Sequence, residues 1–148
     1  MEAVEALRAC YAFENVPDRQ IRELALLSEA RSFTPGEILI RQFEKSSHLF
    51  VILEGEAATR GLKGEPIARF GPGTIVGEIA LIDGEPRSAT VAATSDLKVA
   101  QIYAPPVMAM MDNDPRLGYT IAANLARLLC QRLRNSNQYI DGLSAKTA

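Results

Sequence analysis

Residues 77–91 read Gly77-Glu78-Ile79-Ala80-Leu81-Ile82-Asp83-Gly84-Glu85-Pro86-Arg87-Ser88-Ala89-Thr90-Val91. We expect Gly77 to open one turn of helix, because glycine allows close backbone approach and the free N–H groups at a helix start favour an anion. The Asp-Gly turn that follows delivers Arg87 and Ser88 to the start of a strand. Arg87 has a planar set of donors suited to a phosphate, and Ser88 adds a hydroxyl. The segment therefore predicts an anion site.

Glu78 lies in the same segment, and its carboxylate can accept hydrogen bonds from sugar hydroxyls although it cannot favour a phosphate. An anion site with a carboxylate beside it fits a sugar phosphate. The plainer alternative is a surface ion pair between Arg87 and Glu78, of a kind that contributes about 0–1 kcal/mol. The residue types alone leave both interpretations open.

The composition limits the functions that the chain can have. It has 148 residues, a formal net charge of −2 and one histidine, His48. Its length suits a single domain with its own core. A near-neutral chain has no overall attraction to nucleic acid or to an anionic membrane. A multi-histidine metal site is impossible, and any Ser/His or Cys/His pair would depend on His48. We therefore predict no enzymatic activity, no catalytic residue and no metal site.

The sequence shows no targeting segment. No apolar stretch follows Met1, and no run approaches the ~18 apolar residues that a membrane span needs. Cys10 and Cys130 lie far apart and outside any CxxC motif, which favours two buried, reduced thiols over a disulfide or a metal pair. We expect a cytoplasmic protein.

The hydrophobic patterning changes twice along the chain. Apolar residues have helical spacing over residues 1–30 and again over 106–141. Between these segments, turn chemistry divides residues 31–103 about every 8–12 residues. The layout predicts an α+β domain that is mainly β, with a sandwich, roll or barrel at its centre. The expected strands are Glu37–Ile40, Leu49–Leu53, Ile67–Phe70, Ala89–Val91 and Leu97–Val99.

Two helices are expected after the β-region. Val107–Met111 fits a short helix. Asp114 followed by Pro115 predicts the start of a longer one, because aspartate is a good N-cap and proline suits the first helical position. The apolar stripe of this last helix continues to Ile140, and we expect Asp141-Gly142 to end it.

Residues 77–91 closely resemble the phosphate-binding cassette of cyclic nucleotide-binding domains, whose pattern runs G-E-(apolar)-A-L, a short turn, then P-R-(S/T/A)-A-T-V. The resemblance extends to Phe33–Glu37, Val51–Gly55 and Phe70–Gly73, and to the flanking helices. It implies that residues 1–148 form one domain: an eight-stranded antiparallel, jelly-roll-like β-roll flanked by N-terminal helices and a C-terminal helix pair.

The resemblance also implies roles for individual residues. Glu78 would bind the ribose 2′-hydroxyl, and Gly77 would give the backbone room. Arg87 would pair with the cyclic phosphate, and Ser88 would help to complete its cradle. At the position of Ser88, threonine can favour cGMP and alanine goes with cAMP, so serine leaves the base open. The further ligand-binding residues that we expect are Val76, directly before this segment, and Ile79, Ala80 and Ala89 within it, with the amides of the two alanines in the phosphate cradle.

In the family, the last helix closes over the base and often forms dimers. Residues 116–140 carry four arginines and no acid, a formal charge of +4. Asn124 and Arg132 share the stripe with Ile121 and are the predicted lid residues, with Gln131 adjacent. The alternative is a solvated surface whose arginine stems lie on the roll.

One position departs from the family pattern. After Arg41-Gln42 the family commonly has glycine, but here Phe43 follows. A phenylalanine does not readily take a positive φ, so we expect another loop conformation, with the ring packed on the roll or on a partner. The cassette itself is intact.

These observations favour a sensor of cyclic nucleotide, cAMP or cGMP, without a further cofactor. Ligand binding would reposition the C-terminal helix and act on a protein partner or on a homodimer formed through that helix. One alternative is the sensory fragment of a catabolite-activator-type transcription regulator, an ion channel or a kinase subunit. Another is a structural domain that has lost its ligand.

Overall fold

The computed structural model describes residues 1–147, without the side chains of residue 139 and of residues 144–147. It contains eight antiparallel strands in two four-stranded sheets, with helices at both ends of the chain, so the predicted fold class is confirmed. The helices are α1 (Ala3–Ala9), α2 (Asp18–Leu26), α3 (Ala104–Asn113) and α4 (Pro115–Thr147), with short 3-10 helices at Tyr11–Phe13 and Glu78–Leu81.

The strands are β1 (Ser28–Phe33), β2 (Ile38–Ile40), β3 (His48–Glu54), β4 (Ala57–Arg60), β5 (Pro66–Phe70), β6 (Ile75–Val76), β7 (Val91–Ala93) and β8 (Leu97–Tyr103). One sheet has the order β1-β8-β3-β6 and the other has the order β2-β7-β4-β5. Both sheets therefore combine strands that are distant in sequence, as a roll requires.

Strand β3 contributes side chains to two hydrophobic cores. Leu49 and Val51 belong to a core shared with the helices, whereas Phe50 and Ile52 belong to a second core that contains residues of both sheets. Successive side chains of a strand point to opposite faces, so this sheet is buried on both sides. That is why the strand reads as an unbroken apolar run rather than an alternating one.

Several expected boundaries differ from those observed. The strand expected at Ala89–Val91 lies at Val91–Ala93, and the one expected at Leu97–Val99 continues to Tyr103. β1 begins at Ser28, inside the segment expected to be helical, because helix α2 already ends at Leu26. Helix α3 starts at Ala104 and holds Pro105 and Pro106 in its first turn, where a proline has no helical hydrogen bond to lose. Helix α4 passes through Gly142, since a glycine costs a helix only about 1 kcal/mol and ends it only where the chain turns left-handed.

The start of α4 is tied to the N-terminal helices. Asp114 caps the helix as expected, accepting hydrogen bonds from the amides of Arg116 (3.1 Å) and Leu117 (3.4 Å). Its other carboxylate oxygen accepts a hydrogen bond from the Gln20 side chain of α2 at 2.8 Å. This contact fixes the direction in which α4 leaves the body of the domain.

The two thiols differ. Both are free, but only Cys10 is buried, so the expectation of a second buried thiol at Cys130 is wrong. Burial raises the pKa of the Cys10 thiol to about 11. Cys130 is exposed on α4. Within residues 1–147, no helix is both long enough and apolar enough to span a bilayer.

Candidate functional site

The candidate site is built around Gly77, which lies between β6 and the Glu78–Leu81 turn. Its φ of 80° is left-handed, a conformation that disfavours any side chain. An added Cβ would lie 3.0 Å from the His48 carbonyl oxygen and 3.2 Å from a guanidinium nitrogen of Arg87. The backbone conformation and the surrounding atoms therefore both require glycine here.

Glu78 follows directly and is buried, with 5% of its side chain exposed. Its carboxylate forms an ion pair with the guanidinium of Arg132, which is 26% exposed. The ordinary alternative from the sequence, a surface pair between Glu78 and Arg87, is wrong on both counts, since the partner is a different arginine and the carboxylate is not at the surface. Sequence inspection alone could not choose between the two arginines.

Arg87 is also buried, and its guanidinium points at backbone and hydroxyl oxygens. It donates to Ser46 Oγ at 3.0 Å, to the Gly77 carbonyl at 3.1 Å and to the His48 carbonyl. Burial lowers the pKa of Arg87, and the negative charge of Glu78 acts in the opposite direction. A buried cation that is held only by neutral acceptors is a favourable place for an anion.

The rest of the cassette is more open. Ser88 is exposed, and its carbonyl accepts a hydrogen bond from the Gln42 side chain at 3.2 Å. The amide of Ala80 donates to the Gly77 carbonyl at 3.1 Å, so in this structure it closes the 3-10 turn. Ala89 is half-buried and Ile79 is partly exposed. Val76 is buried in the second core, which contains residues of both sheets.

Arg132 reaches the cassette from the middle of α4. In addition to the pair with Glu78, it donates to the carbonyl of Ile75 at 2.6 Å, and its guanidinium carbon lies 5.1 Å from the centre of the Phe70 ring. Of the two predicted lid residues, the structure thus places Arg132 at the site. Phe70 was not among the predicted site residues, although it directly precedes the Gly71-Pro72-Gly73 turn.

Asn124 is buried elsewhere. Its amide donates to the carbonyls of Ala12 (3.1 Å) and Glu14 (2.8 Å), and its oxygen accepts from Arg127 at 3.0 Å. In this structure it joins α4 to the N-terminal segment rather than facing the cassette. The helical stripe could not show this difference, because Asn124 and Arg132 lie on the same side of the helix.

Phe43 takes the backbone conformation that was not expected. Its φ is 72°, and its ring is 78% exposed rather than packed on the roll. The reason lies in the backbone: the Phe43 amide donates to the Arg87 carbonyl, and the Arg87 amide donates to the Glu44 carbonyl, both at 2.8 Å. This pairing fixes the loop against the cassette and outweighs the local preference of an aromatic residue.

The family model for cyclic nucleotide-binding domains matches residues 30–124, which include the cassette and all of the roll except the first two residues of β1. The chain belongs to this family. The matched segment begins in β1 and ends in α4. Gly77, Glu78 and Arg87 all lie within it.

Relatives of several kinds share this domain. The chain is 29% identical over 109 residues to a cyclic nucleotide-gated potassium channel of Rhizobium etli, covering 74% of this chain and 30% of that protein. It is 27% identical over 124 residues to the cyclic AMP receptor protein of Thermus thermophilus, covering 81% and 56%. This chain therefore corresponds to one part of each relative.

Solved structures agree with the fold. A cyclic nucleotide-binding domain from Methylobacillus flagellatus matches with a TM-score of 0.78 at 28% identity, covering 94% of this chain and 80% of that one. A cyclic nucleotide-binding protein from Geobacter metallireducens matches with a TM-score of 0.77 at 28% identity, covering 90% and 99%. The Geobacter protein is therefore matched over almost its whole length, and it is similar in extent to this chain.

Proposed function

We propose that this chain is a regulatory module that binds a 3′,5′-cyclic nucleotide at the cassette and passes the signal on through α4. The observation that carries the proposal is the pair of buried charged side chains, Glu78 next to the left-handed Gly77 in sequence and Arg87 hydrogen-bonded to its carbonyl. Burying two charged groups costs free energy. A ligand that contacts both groups would compensate for this cost. The module needs no catalytic residue, metal or further cofactor for this role.

Arg87 has the capacity for a phosphate. A guanidinium has five N–H groups, and three of the Arg87 nitrogens each donate to one protein oxygen. Two N–H groups therefore remain for the exocyclic oxygens of the cyclic phosphate. Ser88 and the amides of Ala80 and Ala89 would complete the cradle, while Glu78 would accept the ribose 2′-hydroxyl. Val76 and Ile79 would contribute apolar contact.

The base remains a choice between adenine and guanine. The Ser88 hydroxyl is exposed and can donate or accept, so it can serve either purine edge. We therefore propose cAMP or cGMP as the ligand, and a titration with each separates them. The cytoplasm, where such second messengers act, is the compartment that suits this role.

Calorimetric titration tests the proposal. We expect the wild-type chain to bind one cyclic nucleotide, and Arg87→Leu to weaken binding by at least about 100-fold through loss of the charge-assisted hydrogen bonds. Arg31→Leu is the matched control, because Arg31 is an exposed arginine at the edge strand β1. A folded wild-type protein that binds neither nucleotide at millimolar concentration would support the alternative of a structural domain without a ligand.

We propose that the partner is a second copy of this chain. Helix α4 carries a stripe at alternating spacings of three and four residues, which is the a/d pattern of a coiled coil. Tyr119 is 76% exposed and Leu133 is 62% exposed. The stripe consists of Tyr119, Ala122, Ala126, Leu129, Leu133, Ser136 and Ile140.

Such a stripe is self-complementary, so an identical helix covers it well. Arg127 and Arg134 lie outside the stripe. The stripe itself contains no charged residue that would repel a second copy of the helix. We propose a homodimer through α4. In a longer protein of the transcription regulator, channel or kinase-subunit type, the same helix would instead transmit the signal to the next domain.

A further inference from the structure

The guanidinium of Arg87 is oriented by three acceptors from three different segments. Its Nε–H donates to Ser46 Oγ at 3.0 Å, and its two terminal nitrogens donate to the carbonyls of Gly77 (3.1 Å) and His48. All three acceptors are neutral, so they set the direction of the guanidinium plane without compensating its charge. Two of them are backbone atoms. In the part of the chain that the structure describes, Ser46 is therefore the residue whose side chain orients Arg87.

The loop that carries Ser46 is attached to the half of the cassette that contains the arginine. The amide of Gln42 donates to Thr90 Oγ1 at 3.0 Å, and its side chain donates to the Ser88 carbonyl at 3.2 Å. The left-handed backbone of Phe43 belongs to the same attachment, and such a strained residue persists only where the surrounding contacts impose it. The loop thereby places the Ser46 hydroxyl at a defined position beside the cassette.

A guanidinium of fixed orientation binds a phosphate better than one that can rotate. An arginine side chain loses conformational freedom when it binds an anion, and a side chain that is already fixed has less freedom to lose. The planar fork of donors also has to meet the phosphate oxygens in the right plane. The hydrogen bond from Nε–H to Ser46 restricts the rotation of that plane, so it acts on both requirements.

We propose that Ser46 is a positioning residue for phosphate recognition: its hydroxyl orients the Arg87 guanidinium so that the remaining N–H groups point at the ligand in one fixed direction. The inference rests on the proposed function, because it names the residue that prepares the proposed phosphate site. In this role Ser46 acts through Arg87 and does not touch the ligand. Its substitution changes how Arg87 binds while the charge of Arg87 stays intact.

Calorimetric titration of wild type, Ser46→Ala, Ser46→Thr and Ser47→Ala with cAMP and with cGMP is the first measurement. We expect Ser46→Ala to bind about 3- to 10-fold more weakly than wild type, in line with the loss of one hydrogen bond. Ser46→Thr keeps the hydroxyl and should restore binding to within about twofold of wild type. Ser47→Ala is the matched control, since Ser47 is the adjacent half-buried serine and its recorded contact, to the Ala104 amide at 2.7 Å, uses the backbone carbonyl.

The second measurement detects orientation separately from stability. The two diastereomeric phosphorothioates of cAMP, and likewise of cGMP, each replace one exocyclic phosphate oxygen by sulfur, which is a weaker hydrogen-bond acceptor. A guanidinium in a fixed plane distinguishes the two oxygens, whereas one that rotates distinguishes them less. We expect wild type to prefer one diastereomer by at least about fivefold and Ser46→Ala to reduce that preference at least about twofold. Loss of stability alone would not change this ratio.

The outcomes separate this inference from the proposed function. A folded wild-type protein that binds neither nucleotide refutes both. Wild-type binding with an unchanged affinity or an unchanged preference in Ser46→Ala overturns the inference and leaves the function standing, and so does a wild type that binds both phosphorothioates equally. A Ser46→Thr variant that behaves like Ser46→Ala also overturns it. Should Ser46→Ala not fold, Ser46→Cys replaces the hydroxyl by a weak acceptor of similar shape, and we expect the same loss of preference; an unchanged preference there has the same negative meaning.

Discussion

The Asn124 side chain of α4 donates a hydrogen bond to the Ala12 carbonyl at 3.1 Å, joining segments that are 112 residues apart. The same amide group also donates to the Glu14 carbonyl at 2.8 Å. Asn124 is 1% exposed, and its hydrogen bond to Ala12 is buried, whereas the one to Glu14 is partly buried. This contact and the Gln20–Asp114 hydrogen bond together fasten the first part of α4 to the N-terminal helices.

Asn124→Ala tests whether this residue stabilises the fold or binds the ligand. We expect the free energy of unfolding to fall by about 1–3 kcal/mol, because a buried carbonyl and a partly buried one lose their donor. Urea unfolding measures the change, and Gln131→Ala, an exposed site on the same helix, is the control. Affinity for cyclic nucleotide should remain within about twofold of wild type. A large loss of affinity without a loss of stability would restore the lid role.

Glu78→Gln tests the carboxylate that we assign to the ribose. A hydrogen bond to a charged group contributes about 1.5–3 kcal/mol, so removing the charge should weaken cAMP binding by about 10- to 100-fold. The analogue 2′-deoxy-cAMP lacks the hydroxyl, and its affinity should change much less. Equal losses for both nucleotides would show that Glu78 acts on the ligand through the structure of the site and does not bind the hydroxyl. Circular dichroism establishes that the variant is folded.

The features that were easiest to predict from the sequence are those that depend on a single short segment. Gly77 and Arg87 lie ten residues apart in one short segment, and the residue types there left an anion site and an ordinary surface feature both open. The structure brings the two residues into contact at 3.1 Å. The buried strand β3 was also evident, because an apolar run of that length is typical of a strand covered on both faces.

Other features depend on tertiary structure and left little trace in the sequence. β1 has one large apolar residue, Phe33, because it is an edge strand with four exposed positions, so it has no hydrophobic pattern. The ion pair of Glu78 with Arg132 joins residues 54 positions apart, and helical periodicity cannot show what the buried face of a helix contacts. The conformation of Phe43 was missed because backbone pairing with the cassette overrode its local preference.

Asp114 makes stability depend on pH in acid. The hydrogen bond from the Gln20 side chain, followed by the one from the Leu117 amide, lowers the pKa of the Asp114 carboxyl below its usual value. A group with a depressed folded-state pKa stabilises the protein above its unfolded pKa of about 4, and that contribution is lost as the pH falls through the folded value. Unfolding of wild type and Asp114→Asn at pH 7 and pH 3 measures it.

We expect wild type to be more stable than Asp114→Asn at pH 7, with the difference shrinking towards pH 3. The lowered pKa values of Glu37 and Glu56 act in the same pH window, but both proteins contain these residues and their effects cancel in the comparison. A difference in stability that stays constant between the two pH values would show that the charge of Asp114 is not involved.

Leu133→Glu tests the proposed dimer. Leu133 is the fifth of the seven residues in the exposed stripe of α4, and in a paired helix the introduced carboxylates would have to be buried in an apolar contact. We expect wild type to sediment at twice the 16.1 kDa chain mass and Leu133→Glu to sediment as a monomer. Gln131→Glu introduces the same residue on an exposed position off the stripe and should leave the dimer intact. A wild-type protein that stays monomeric at high micromolar concentration would instead assign the stripe to another partner.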